Sequence, residues 1–146
     1  MTSATIRRSI GQSKRRISTL WKRAQDQPNQ MTVDMMDRKE LEGMLKDILM
    51  IYDGIRHEIK KIEEMDNEWK IMMRYNEKEM RIKEQYVKNF GNYLSTIEYS
   101  QYYINKVKDM YIYGGNLLKT KWPNTEYIVR RLHDSDHHFN TFYHPY

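Results

Sequence analysis

Between Leu41 and Ile62 the apolar residues recur at alternating steps of four and three: Leu41, Leu45, Ile48, Tyr52, Ile55, Ile59 and Ile62. A stripe repeating every ~3.5 residues is the seam of a coiled-coil-like helix, and it is hidden from water only when another helix lies along it. Met44, Leu49, Ile51 and Met65 widen the stripe, so this helix is expected to meet more than one neighbour. Asp37 and Glu40 have the spacing of a capping box at its start, flanked by Met36 and Leu41 as a hydrophobic staple.

After Ile62 the seam weakens. Asp66 and Asn76 fall on core positions, with Trp69 and Met73 between them. It resumes as Met80, Val87, Phe90, Leu94, Ile97 and Ile104, flanked by Tyr86, Tyr93 and Val107 and interrupted by Lys83 and Gln101. Gly114-Gly115 reads as the end of the run, as glycine does just past a helix. Two arrangements suit residues 37–113. One is a single helix about 115 Å long at ~1.5 Å per residue. The other is a pair of antiparallel helices turning near 65–76. The hairpin is preferred because it buries the seam within one chain. Asn76 with Glu79, and Tyr75 with Met80, also repeat the cap-and-staple pattern of a helix start. In favour of the rod, the heptad phase runs unbroken through 62, 66, 69 and 73, and no Pro or Gly lies there to force a turn.

Ahead of the seam, Thr5 to Ala24 reads as an amphipathic helix. Ile6, Ile10, Ile17, Leu20, Trp21 and Ala24 share about a third of its circumference. The opposite arc carries Arg7, Arg8, Lys14, Arg15, Arg16, Lys22 and Arg23, with no acid in residues 1–25. The linker Gln25-Asp26-Gln27-Pro28-Asn29-Gln30 ends this helix, since Pro28 biases its predecessor away from the α region. At the other end, Asn124 or Thr125 is placed to cap a short helix through Tyr127, Ile128, Val129 and Leu132. The expected fold is therefore all-α: a long antiparallel, coiled-coil-like helical hairpin over 31–113. A basic amphipathic helix and linker over 1–30 precede it, and a mostly irregular tail over 114–146 follows.

Composition narrows the function classes. Charged residues make up 31% and hydrophobic ones 39%, enough to escape the disordered class but not a rich core. The absence of cysteine excludes disulfides, thiolate zinc sites and a cysteine nucleophile. The longest apolar run, Ile48-Leu49-Met50-Ile51-Tyr52, is far short of the ~20 residues of a membrane span. No secretory signal is expected from the first residues, and a cytoplasmic or nuclear location fits this composition. The net charge of +5 resides in the N-terminal arm; the remaining chain, with 18 basic and 20 acidic residues, carries −2. No phosphate-cradling Gly loop or Ser elbow is present, and the carboxylates have the spacing of solvating Glu–Lys pairs. No enzymatic activity and no cofactor are expected. His133, His137 and His138 with Asp134 and Asp136 form a cluster near a loose terminus. Asp134 stands where a metalloprotease helix needs Glu, so solvated tail is the plainer reading and no metal site is assigned.

The order of features is also familiar. A basic segment, a leucine-rich helix, a charged break and a second helix lead to Gly115-Asn116, a spacer, Trp122-Pro123, the aromatic Tyr127, and Leu132-His133-Asp134. This resembles the N-terminal part of Gag polyproteins of BEL/Pao-type LTR retrotransposons, where a helical hairpin precedes a Gly-Asn/Asp, Trp-Pro, aromatic, His-Asp/Asn signature. The resemblance implies a truncated or domesticated Gag module, able to self-associate without building a full shell.

The expected function is a non-enzymatic scaffold that self-associates or binds a protein partner. Its interaction core would be Leu41, Leu45, Ile48, Tyr52, Ile55, Ile59, Ile62, Val87, Phe90, Leu94 and Ile97. A Tyr-rich helix carrying Tyr75, Tyr86, Tyr93, Tyr99, Tyr102, Tyr103, Tyr111 and Tyr113 would add a second face, since tyrosine brings large contact area at low entropic cost. Aromatics beside Lys106 and Lys108 also suit stacking on single-stranded bases. The basic arm keeps four readings open. It could bind nucleic acid through its phosphates, or lie on an anionic membrane with Leu20 and Trp21 inserted. It could be a mitochondrial presequence, being Arg-rich and acid-free, or simply pack on the hairpin with its charges solvated.

Overall fold

The computed structural model describes residues 1–124. Within them the chain is all-α, a bundle of five helices: α1 (Ser3–Gln25), α2 (Gln30–Asp34), α3 (Arg38–Arg74), α4 (Glu77–Phe90) and α5 (Leu94–Lys121). The short helix suggested through Tyr127–Leu132 and the histidine cluster from His133 to His138 lie outside the described residues.

The axis of the bundle is α3. Its start is the capping box read from Asp37 and Glu40: the Glu40 amide donates to the Asp37 carboxylate at 2.8 Å, and the Asp37 amide donates to the Glu40 carboxylate at 3.2 Å. From there the seven seam residues, Leu41 through Ile62, are all buried. The wide stripe has the consequence it implied: α3 packs against both α1 and α5.

α1 lies antiparallel to α3 with its apolar arc inward. Ile6, Ile10, Ile17 and Ala24 are buried, and Leu20 and Trp21 pack on the core from its edge. Polar ties fix the register. The Ser13 hydroxyl and the Arg16 guanidinium both donate to the buried carboxylate of Glu58, at 3.1 and 3.4 Å. Nearer the end of α1, Arg23 pairs with Asp47, which also accepts from the Gln27 amide at 2.6 Å. Of the four readings of the basic arm, the packed one describes where α1 sits. α2 follows the linker and buries Val33.

The return path differs from the expected smooth hairpin. Tyr75 and Asn76 alone reverse the chain, the Asn76 side chain accepting from the Lys78 amide at 3.0 Å. Neither half of the expected staple is buried: Tyr75 and Met80 are both exposed. The second arm is also two helices rather than one. Gly91, at φ +82°, occupies backbone space that costs a side chain strain, and the chain breaks there before α5 begins. α4 is held mainly at the far end of α3, where Asp66 and Trp69 meet its Glu79, Lys83 and Tyr86. α5 then runs back along α3, from Tyr93 beside Asp66 to Gly114 beside Leu45.

Gly114-Gly115 does not end the helix, and residues 114–121 are not irregular: α5 continues to Lys121. Both glycines are buried. Gly114 serves close approach, since a Cβ there would stand 2.8 Å from Leu45 Cδ2 and 3.1 Å from Met44 Cε. On either side of the two glycines, the Tyr113 hydroxyl donates to the Asp34 carboxylate and Lys121 Nζ to the Asp34 carbonyl, tying the last turns of α5 to α2.

Candidate interaction surfaces

The residues expected to form an intermolecular seam divide sharply. Leu41, Leu45, Ile48, Tyr52, Ile55, Ile59, Ile62 and Ile97 are interior, so the bundle itself consumes them. Val87 and Leu94 are only partly buried. Phe90 is 64% exposed, a correction to its place in the core. The phase of the α3 stripe is lost in α4, after the Tyr75-Asn76 turn, where Met80 and Phe90 are exposed, whereas Ile97 and Ile104 beyond Gly91 keep their inward positions. Tyr86 and Tyr93, expected only to flank the seam, take the buried positions instead.

Those two tyrosines belong to a polar knot at the junction of α3, α4 and α5. The Tyr93 hydroxyl donates to the buried Asp66 carboxylate at 2.5 Å, and Lys70 Nζ approaches the same carboxylate at 2.9 Å. Trp69, fully buried, donates from Nε1 to Glu79 at 3.2 Å. Glu79 thus serves the Trp ring rather than closing a cap on Asn76. The rings of Trp69, Tyr86 and Tyr93 pack within 5.7–6.2 Å of one another. In the sequence Asp66 is legible only as a defect in the seam, because the partner that explains it lies on a different helix.

The knot makes the fold sensitive to base. Burial, the hydrogen bond to Asp66 and that residue's negative charge push the Tyr93 phenol far above its ordinary range. Burial also raises Tyr86, while the Arg7 guanidinium pulls it the other way. A raised pKa means that the folded state holds protons the unfolded chain has released. The stability these phenols contribute is therefore fully present below pH ~10 and is lost as pH rises beyond it. Melts between pH 8 and pH 11 should show that loss, and Tyr93→Phe should flatten it.

The Tyr-rich helix does not present one face. Tyr86, Tyr93 and Tyr111 are buried, while Tyr99 and Tyr102 are 50% and 54% exposed. The exposed pair belongs to an aromatic ridge where α1 meets α5. Trp21 stacks on Tyr103 at 4.2 Å between centroids with planes 12° apart, and it meets Tyr102 edge-on at 6.2 Å. Tyr99 lies 6.2 Å from Tyr103, and Lys106 Nζ sits 5.4 Å from the Tyr102 ring centre. The pattern of α1 marks Trp21 as a core or membrane residue; only the fold reveals that its ring joins the tyrosines of α5.

The basic residues divide as well. Arg16 and Arg23 are paired with acids of α3. Arg7, Arg8, Lys14, Arg15 and Lys22 form no ion pair among the described residues. Four of these, with Gly11, Tyr86 and Phe90, line a concavity of ≈ 530 Å³ between α1 and α4. Among the described residues no group of His, Asp and Glu is arranged to hold a metal ion, and no helix is long and apolar enough to cross a membrane. Comparison with protein families, curated proteins and solved structures finds no match for this chain.

Proposed function

We propose that this chain is a non-enzymatic helical interaction module that docks a protein partner through the α1–α5 aromatic ridge. The observation that carries the reading is the half-exposed Tyr99–Tyr102 pair, backed by the stacked Trp21–Tyr103 rings. Aromatic residues are concentrated at the energetic centres of protein interfaces, and these rings are already held by packing, so little ordering entropy remains to be lost on docking. The heptad seam acts differently. Along it α3 and α5 form the two arms of a coiled-coil-like hairpin, whose rigidity presents the ridge.

The resemblance to Gag N-terminal regions favours a second copy of the chain as that partner. A mitochondrial presequence is a poorer proposal, because cleaving residues 1–25 would strip Ile6, Ile10, Ile17 and Ala24 from the core. A membrane role is poorer for a related reason: the arc that would insert is folded against α3.

Self-association is tested by light scattering coupled to gel filtration. The wild-type chain should run above monomer mass. Tyr102→Asp should weaken the association by about 2 kcal/mol, the size of an interface hot spot, with helicity unchanged because the ring is half in water. A wild-type chain that stays monomeric at high concentration would refute the homotypic form of the proposal.

A further inference from the structure

Phe90, the last residue of α4, is a bare aromatic ring in a basic setting. Arg7, Arg8, Lys14 and Arg15 line one wall of the concavity between α1 and α4, Tyr86 and Phe90 line the other, and no carboxylate lines either. The pocket is braced. Arg7 Nε donates to the Ser3 carbonyl at 3.2 Å, and Lys14 Nζ reaches across to the Phe90 carbonyl at 3.4 Å. The Tyr86 ring backs Phe90 at 5.0 Å between centroids. A merely solvated basic face needs no exposed phenyl ring, and a merely apolar contact needs no ring of cations.

The geometry points to a single-stranded nucleic-acid site in this groove, in which Arg8, Lys14 and Arg15 take consecutive phosphates and a base stacks on Phe90. Each part follows from the chemistry of the ligand. Unpaired bases offer a π-face to an aromatic platform whatever their identity, and the backbone between them asks for cations at intervals. The same cations would attract an anionic membrane, but α1 has no insertion face to offer: Ile6, Ile10 and Ile17 are buried beneath α3. Phe90 alone is too small an apolar surface to hold a bilayer, while it is the right size for one base. The site is independent of the aromatic ridge, which lies on the α5 side of α1.

Fluorescence anisotropy with a labelled oligothymidylate tests the site. Affinity should fall as salt rises, with a log–log slope near −2 for three neutralised phosphates at ~0.7 each. Phe90→Ala should weaken binding about tenfold with the slope unchanged, because stacking is insensitive to salt, and Phe90→Trp should preserve it. Arg8→Ala with Arg15→Ala should shrink the slope by about 1.4. Lys22→Ala, outside the groove, should leave binding as it was. Circular dichroism will confirm that these surface variants keep their helicity. No binding at low salt, or an affinity indifferent to Phe90, would overturn the proposal. So would binding to phosphatidylserine vesicles without binding to the oligonucleotide.

Discussion

Replacing Trp69 with alanine is expected to lower stability by about 3–5 kcal/mol, read as a fall in the urea midpoint with little change in slope. The ring is fully buried where three helices converge, and it touches both Tyr86 and Tyr93. Its removal leaves a cavity that the surrounding backbone closes only in part. It also leaves Glu79, itself buried, without the indole donor. The two losses can be separated. Trp69→Phe keeps most of the ring but still orphans the carboxylate, so it should cost about 1–3 kcal/mol. Adding Glu79→Met to that variant removes the stranded charge and should recover much of the difference. Hydrogen exchange will localise the damage: α4 buries only Glu79 and Tyr86 and depends on this junction, so its amides should lose protection before those of α3. An alanine variant as stable as the wild type would mean that the junction does not hold α4 down.

Why this junction escapes a linear reading, while α3 does not, has a physical answer. A seam is a local regularity: the 4–3 alternation from Leu41 to Ile62 states both the helix and the face it hides, whatever lies against it. The arc of α1 is equally self-evident, because four buried apolar residues and seven cations divide the circumference between them. A buried polar pair carries no such periodicity. Asp66 looks misplaced until Tyr93 is set beside it, 27 residues later. Phase is also lost at breaks. Continuing the register across Tyr75-Asn76 assigns Phe90 to the core, although Phe90-Gly91-Asn92 holds the signal of a helix stop. The surfaces are half legible. Composition and spacing name the basic and tyrosine residues, but not which of them are paired, buried or left in water. That depends on α1 bringing Trp21 to Tyr103 on one flank and Arg8 toward Phe90 on the other.

Gly114→Leu is the second large loss expected, about 3 kcal/mol, and it should come with a lower melting temperature and a weakened near-ultraviolet signal as α3 and α5 are pushed apart. The usual arithmetic for a glycine inside a helix runs the other way. Any side chain with better helix propensity gains up to ~1 kcal/mol over glycine. Gly43 obeys it: the position is exposed, nothing lies within 4 Å of where a Cβ would go, and Gly43→Ala should raise stability by about that amount. At Gly114 the first added carbon already stands 2.8 Å from Leu45 Cδ2. Leu45 is fully buried and has nowhere to retreat, so three further carbons cannot be absorbed by a change of rotamer. The two positions share a glycine and a helical setting and differ in what faces them. Opposite signs would show that Gly114 is a contact surface between helices. If Gly114→Leu melted with the wild type, α5 would not be seated on α3 at this point.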